Sequence, residues 1–149
     1  MADLRRFEYF AGFIHKKFGT CRIYDVAGGM GKLNEELSKL GCDVLTFDKR
    51  HKHLPVKFEV KEFTLEEECR ADLVVGMHPD GATKLIIDYA AMHNIPFAIV
   101  PCCSDNGMSY KTWIKFLKQH TLDLGMGLEE ASLPMKGRAT VLIGRPNLS

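Results

Sequence analysis

Residues Ile23 to Gly31 read Ile-Tyr-Asp-Val-Ala-Gly-Gly-Met-Gly: an apolar run of strand-forming residues, an acid, then a glycine cluster. A helix opens directly behind it, because Leu33, Leu37 and Leu40 fall on one face of the stretch Lys32 to Leu40. A second strand, Asp43-Val-Leu-Thr-Phe-Asp48, ends in another acid about 20 residues beyond the loop. Strand, glycine turn, helix and acid-tipped strand are the parts of a nucleotide-type cofactor site. A backbone without Cβ turns sharply and lets a ligand approach, and a carboxylate at the second strand end accepts hydrogen bonds from ribose hydroxyls.

The remainder alternates in the same way. Short or buried strands are expected at Val56–Val60, Ala71–Met77 and Pro96–Val100, with a brief helical turn over Leu65–Arg70. Helices are expected at Ala82–Asn94, with Leu85, Ile86, Tyr89 and Ala90 on one face, and at Tyr110–His120, carrying Trp113, Phe116 and Leu117. The tail from Leu122 holds glycine, proline and a β-like run, Ala139–Ile143, that suits a closing strand or hairpin. Near the N-terminus, about residues 3–18, Leu4, Phe7, Phe10, Phe13, Ile14 and Phe18 recur at helical spacing, as in an amphipathic helix laid on a sheet. The expectation is one α/β domain over 1–149 with a Rossmann-like, doubly wound, mostly parallel sheet whose ligands sit at the carboxyl ends of the strands.

At 149 residues and 46% hydrophobic, the chain can bury one sizeable core but has no room for a separate substrate domain. Substrate recognition then falls to this domain or to a protein partner. A formal charge of +1 confines any basic, nucleic-acid-binding surface to a local patch, for which Lys49-Arg50-His51-Lys52-His53 is the candidate. Five cysteines without a C-x-x-C pair, and no apolar leader, suggest a reduced, cytoplasmic setting; no apolar run approaches a membrane span.

The spelling of the loop separates cofactors. A nicotinamide-type Gly-x-Gly-x-x-Gly counted from Gly29 and Gly31 ends on Asn34 rather than glycine. Read as acid-x-Gly-Gly-Gly-x-Gly, Asp25 to Gly31 resembles the loop of class I S-adenosylmethionine methyltransferases, with Ala27 in the place of the first glycine. Alanine substitutes there without strain if φ is negative. Two further clusters, Gly76-Met-His-Pro-Asp-Gly81 and Val100-Pro-Cys-Cys103, fall at strand ends and resemble the Gly-Leu-His-x-Cys-Gly and Val-Pro-Cys-Cys pattern of a small methyltransferase subfamily that includes tRNA acceptor-stem 2′-O-methyltransferases. The resemblance runs from about Ile23 to Asp105. Asp80 stands where that pattern has cysteine.

That resemblance implies S-adenosyl-L-methionine as cofactor and an RNA substrate, tRNA ahead of a small molecule. The alternatives are a non-catalytic, cofactor-binding subunit that supports a partner, or a small-molecule methyltransferase. It implies cofactor contacts from Asp25, Ala27, Gly28, Gly29 and Gly31 in the loop, and from Asp48 and Lys49 after the second strand. Glu62 and Phe63 would meet the adenine, and Met77 and His78 would lie at the fourth strand end. His78 and Asp80 are the candidate catalytic pair, because an imidazole titrates near neutrality and a nearby carboxylate can orient it. Pro79 is expected to bias His78 toward extended backbone. Cys102 and Cys103 read as small apolar residues, since adjacent cysteines lack zinc-ligand spacing; no metal is expected. Cys21, Cys42 and Cys69 read as fold positions.

Overall fold

Alternating strands and amphipathic helices leave each strand apolar on both sides, so the sheet must be covered twice. The computed structural model describes residues 3–79, 81–102 and 107–147. Its elements run α1 (Arg6–Phe18), β1 (Arg22–Val26), α2 (Lys32–Lys39), β2 (Asp43–Asp48), β3 (Phe58–Val60), β4 (Leu73–Met77), α3 (Thr83–His93), β5 (Phe97–Val100), α4 (Tyr110–Asp123), β6 (Met126–Ser132) and β7 (Thr140–Pro146). The strands form one seven-stranded sheet in the order β3-β2-β1-β4-β5-β7-β6. β3, β2, β1, β4 and β5 are mutually parallel, and β7 enters antiparallel between β5 and β6. The chain winds outward from β1 through β2 to β3, then jumps back to β4 on the other side of β1. The carboxyl ends of β1 and β4 therefore frame the switch point where open α/β sheets bind ligands.

One sheet face carries Ile23, Val44, Leu73, Val75, Ala98, Val141 and Ile143 and packs on Phe10, Ala11 and Ile14 of α1 and Leu33 and Leu37 of α2. The other carries Tyr24, Val26, Val74, Phe97, Ile99 and Leu142 against Ile86, Tyr89 and Ala90 of α3 and Trp113 and Leu117 of α4. Each fully buried aliphatic side chain here stabilises the fold by about 1.5–3 kcal/mol. Gly144 of β7 lies opposite Phe97 of β5. A Cβ there would come within 2.0 Å of the Phe97 ring, so the ring occupies the space a larger residue would need.

Several expectations shift. Leu4 precedes α1 and is 93% exposed, so it adds nothing to the helix's buried face. Within Leu65–Arg70 the structure holds a single turn at Leu65 and Glu66, closed by Glu67 N–H to Thr64 O, and no helix. The tail is a full hairpin: β6 pairs with β7 along all seven of its residues. Glu129 of β6 ion-pairs with Lys17 and Arg145, and Glu130 with Lys118. No helix among the described residues is long and apolar enough to cross a membrane.

Asn34, the residue that breaks the nicotinamide-type fingerprint, is almost fully buried on α2. Its Nδ2 donates to Val44 O (3.2 Å), Thr46 Oγ1 (3.1 Å) and Lys57 O (2.9 Å), tying the helix to β2 and to the approach to β3. Its Oδ1 accepts from Ser38 Oγ at 2.8 Å. Asn34→Ala removes the side-chain donor to the buried Val44 carbonyl and Thr46 hydroxyl, while Lys57 O keeps its bond from Thr46 N–H, so urea denaturation should show a loss of about 1–3 kcal/mol. An unchanged midpoint would show that this hub contributes nothing.

Candidate functional site

Two cavities open side by side at the carboxyl ends of the parallel strands. The first, about 320 Å³, is lined by Val26 and Ala27 after β1, Phe47, Asp48, Lys49 and Arg50 after β2, Lys61, Glu62 and Phe63 after β3, His78 after β4, and Gly81, Ala82 and Leu85 at the start of α3. The second, about 360 Å³, is lined by Arg6 and Phe7 of α1, the loop Ala27 to Met30, Lys32, Arg50, Met77 and His78. They meet at Ala27, Arg50 and His78.

The walls follow from the strand ends. Phe63 is 5% exposed and packs edge-on against Phe47 (5.0 Å) and Tyr89 (4.6 Å), giving the first cavity an aromatic floor. Asp48 caps β2; its Oδ2 accepts from Gly29 N–H at 2.8 Å and its Oδ1 from Arg50 N–H at 2.9 Å. A carboxylate offers about four lone-pair sites, so two remain for a ligand's hydroxyls. The exposed Glu62 has no ion-pair partner among the described residues and can accept from an amino group.

β1 and β4 end with the same device. Ala27 N–H still donates to Phe47 O and His78 N–H to Val100 O, both at 2.8 Å, continuing the sheet ladder by one residue. Both residues then take positive φ, 55° and 49°, and turn the chain out of the sheet. This corrects two expectations. Ala27 does not meet the condition of negative φ under which alanine replaces glycine without strain, and Pro79 does not hold His78 extended. Left-handed backbone costs a non-glycine residue about 1–3 kcal/mol and persists where surrounding structure over-determines it, which concentrates at binding sites.

His78 Nε2 lies 3.3 Å from Arg138 O, which can only accept. That bond puts the ring hydrogen on Nε2 and leaves Nδ1 with the lone pair. Burial holds the imidazole below its usual range, against the upward pull of the Arg138 carbonyl, with Arg6 adding to the depression. At neutral pH the ring is therefore uncharged and able to take a proton.

Asp25 and Gly31 line neither cavity. Asp25 is fully buried beneath the loop, where Thr46 Oγ1 donates to its Oδ2 at 2.8 Å and its Oδ1 has no partner. A Cβ on Gly28 would fall 2.3 Å from Asp25 Oδ2, so the loop rests directly on this carboxylate. Gly31, at φ 93°, caps α2 with Val56 packed 2.8 Å from where its Cβ would be. A side chain at Gly31 would strike Val56 rather than a ligand. Asp80, Cys103 and Asp105 lie outside the described residues. Cys102 is half-buried after β5 and lines neither cavity. No group of three or more His, Cys, Asp or Glu side chains placed to hold a metal ion occurs among the described residues.

Sequence reading missed Arg6, Phe7, Arg50, Lys61 and Leu85 as lining residues. For Leu85 the signal was available: the helix after β4 must start at the switch point. For Arg6 and Phe7 it was not, because nothing local says which end of α1 overhangs the loop.

No protein-family model matches the sequence, and no curated protein matches it. Solved structures do match. A precorrin-6y C5,15-methyltransferase from Geobacter metallireducens GS-15 aligns with a TM-score of 0.65 at 12% identity, covering 92% of this chain and 87% of that one. A putative RNA methyltransferase from Pyrococcus horikoshii gives 0.63 at 16%, covering 90% and 78%. Magnesium protoporphyrin IX methyltransferase from Synechocystis PCC 6803, solved with bound SAM, gives 0.67 at 12%, covering 95% and 78%. The fold is that of the Rossmann-like methyltransferases.

Burial raises the Asp25 carboxyl from 3.8 to about 7, with Thr46 opposing and the Asp48 charge adding. Across that window the folded chain holds a proton that the unfolded chain has released. This contribution to stability is therefore complete at acid pH and is lost as pH rises toward about 7. Denaturation midpoints measured at several pH values should fall across the window in the wild type. Asp25→Asn should flatten the dependence; the same slope in the variant would assign the titration to another group.

Proposed function

We propose that the protein is an S-adenosylmethionine-dependent methyltransferase acting on RNA, with a tRNA favoured. The observation that carries the cofactor reading is Asp48, a carboxylate with free lone pairs at the β2 end, facing a cavity floored by Phe63 that runs to the strained residues Ala27 and His78. The residues fit the group. Asp48 suits a ribose, Phe63 and Glu62 suit an adenine's face and amino edge, and the bare backbone of Gly28 and Gly29 admits a chain passing toward the second cavity. Asn34 argues against a dinucleotide, because its side chain fills the helix–strand contact that the third glycine of that fingerprint keeps close.

When bound, S-adenosylmethionine supplies a methyl group already activated on a sulfonium, so the protein need only align the acceptor, exclude water and remove one proton. His78 stands where the two cavities meet, neutral and with Nδ1 free to accept. His78 Nδ1 would take the proton that the acceptor's oxygen or nitrogen loses on methylation, the methyl carbon–sulfur bond breaking with its electron pair left on sulfur, and pass it to solvent. Support for RNA comes from Lys49 to His53, five consecutive basic or titratable residues, all exposed, leading away from the cavity mouth at Arg50. Phosphates of a strand crossing this edge would meet them. The structural relatives include a protein named as a putative RNA methyltransferase.

Asp48→Ala should weaken S-adenosylhomocysteine binding by about 1.5–3 kcal/mol in calorimetry, the value of charge-assisted hydrogen bonds to a ribose. Undiminished affinity would remove the cofactor assignment. In single-turnover methylation of a total tRNA pool, His78→Ala should slow transfer by about 10²–10⁴-fold, the range for losing a general base. Full turnover in that variant would show that His78 takes no proton.

A further inference from the structure

The hydrogen bond that orients the His78 ring comes from sixty residues along the chain, from the connection between β6 and β7. Leu133 N–H donates to Ala139 O at 2.9 Å and closes that connection, and the five residues between them lie outside any strand. Such a loop is ordinarily the most mobile part of a sheet. A carbonyl on a mobile loop cannot hold an imidazole in one tautomer and one direction, so the accepting residue has to be fixed by contacts of its own.

Two contacts tie the loop down. Lys136 N–H donates to Asp3 Oδ2 at 3.4 Å, ahead of α1. Arg138 itself, whose carbonyl accepts from His78, lays its guanidinium over the Tyr110 ring, 3.9 Å from the centroid. That is well inside the ~6 Å within which a cation is attracted to a ring face. The platform under it is rigid. Tyr110 opens α4, packs on the core face that holds Trp113, and follows the N-cap Ser109, whose Oγ accepts from Thr112 N–H at 3.2 Å. The Tyr110 hydroxyl is buried and has no partner among the described residues, so the ring rather than the phenol is what this position uses. Neither Arg138 nor Tyr110 lines either cavity, and the path from them to the site runs through the His78 ring.

We propose that Arg138 and Tyr110 are positioning residues for methyl transfer: their stacking fixes the Arg138 carbonyl, and the carbonyl keeps the His78 hydrogen on Nε2 and leaves Nδ1 free where the two cavities meet. This rests on the reading of His78 as the proton acceptor and deepens it, because it names what holds the base and gives the β6–β7 hairpin a part in the site.

The test compares the full chain as wild type with Arg138→Met, Arg138→Lys, Tyr110→Leu and Tyr110→Phe. Nitrogen-15 shifts of the His78 ring, recorded at a pH above its titration and assigned by the signal lost in His78→Ala, report the tautomer with no ligand or substrate present. The wild type should carry the hydrogen on Nε2. In Arg138→Met and Tyr110→Leu the Nδ1–H population should rise by about 2- to 5-fold, the range an exposed cation–π contact carries, while Arg138→Lys and Tyr110→Phe stay close to wild type. Single-turnover methylation of a total tRNA pool should slow by a similar factor in the first two variants, with S-adenosylhomocysteine affinity unchanged, and Arg138→Met should not slow His78→Ala any further. Unchanged ring shifts in Arg138→Met, or a wild-type hydrogen on Nδ1, would overturn the proposal. So would altered shifts with full turnover, or a loss of turnover that persists in the His78→Ala background, which marks a purely structural role. If His78→Ala itself keeps full turnover, the reading of His78 as the base fails, and the ring shifts still decide whether Arg138 and Tyr110 hold it.

Discussion

The glycine loop rests on a carboxylate that is shut away from water. Asp25 lies wholly beneath Gly28, and a single chain of hydrogen bonds reaches it: Asn34 on α2 donates to Thr46 on β2, and Thr46 donates to Asp25 on β1. Three consecutive elements, β1, α2 and β2, are thereby fixed to one another below the loop. Burying a carboxylate with one oxygen unpaired is costly, and raising its affinity for a proton is the usual way to lower that cost. The geometry above depends on this support. Gly28 can sit on the carboxylate only without a Cβ, and Gly29 is then placed to donate to Asp48 across the loop.

The second constraint is the pair of left-handed turns at Ala27 and His78. Both residues keep one ladder hydrogen bond and then leave the sheet, on neighbouring strands at the switch point. Their strain is held by α2 and α3, which start within a few residues of each turn. What results is a fixed seam between an aromatic-floored cavity and a cationic one, with an uncharged imidazole on the seam. A site that brings a cofactor and its acceptor to one point needs such a junction to be rigid before either binds.

Much of this was legible in the sequence, for identifiable reasons. The β1–loop–α2–β2 unit announces itself because two acids, a glycine cluster and a helical apolar stripe each mark a different physical demand at adjacent positions. Buried parallel strands such as Leu73–Met77 and Phe97–Val100 are continuous apolar runs and are equally visible. β6 was hidden because Met126 to Ser132 is an edge strand with only Met126 buried and two adjacent glutamates in place of alternation. At the site, Asp48, Phe63 and His78 fall where their strand ends put them. Asp25 reads as a ligand contact yet lies buried under the loop and lines neither cavity, since the pattern of the loop does not say which side of it the acid occupies. The positive φ of His78 runs against the local preference set by Pro79, and the hydrogen bond to Val100, far along the chain, overrides it.

The central claim is that these strand ends form one preformed nucleoside site whose two cavities meet at Ala27 and His78. A crystal structure of the protein grown with S-adenosylhomocysteine tests it most directly. The account predicts ligand density in the cavity between Asp48 and Phe63, reaching Ala27 and His78, with those two residues still at positive φ. Density elsewhere, or a ligand filling the space beside Arg6 and Lys32 while the cavity at Phe63 stays empty, would contradict it.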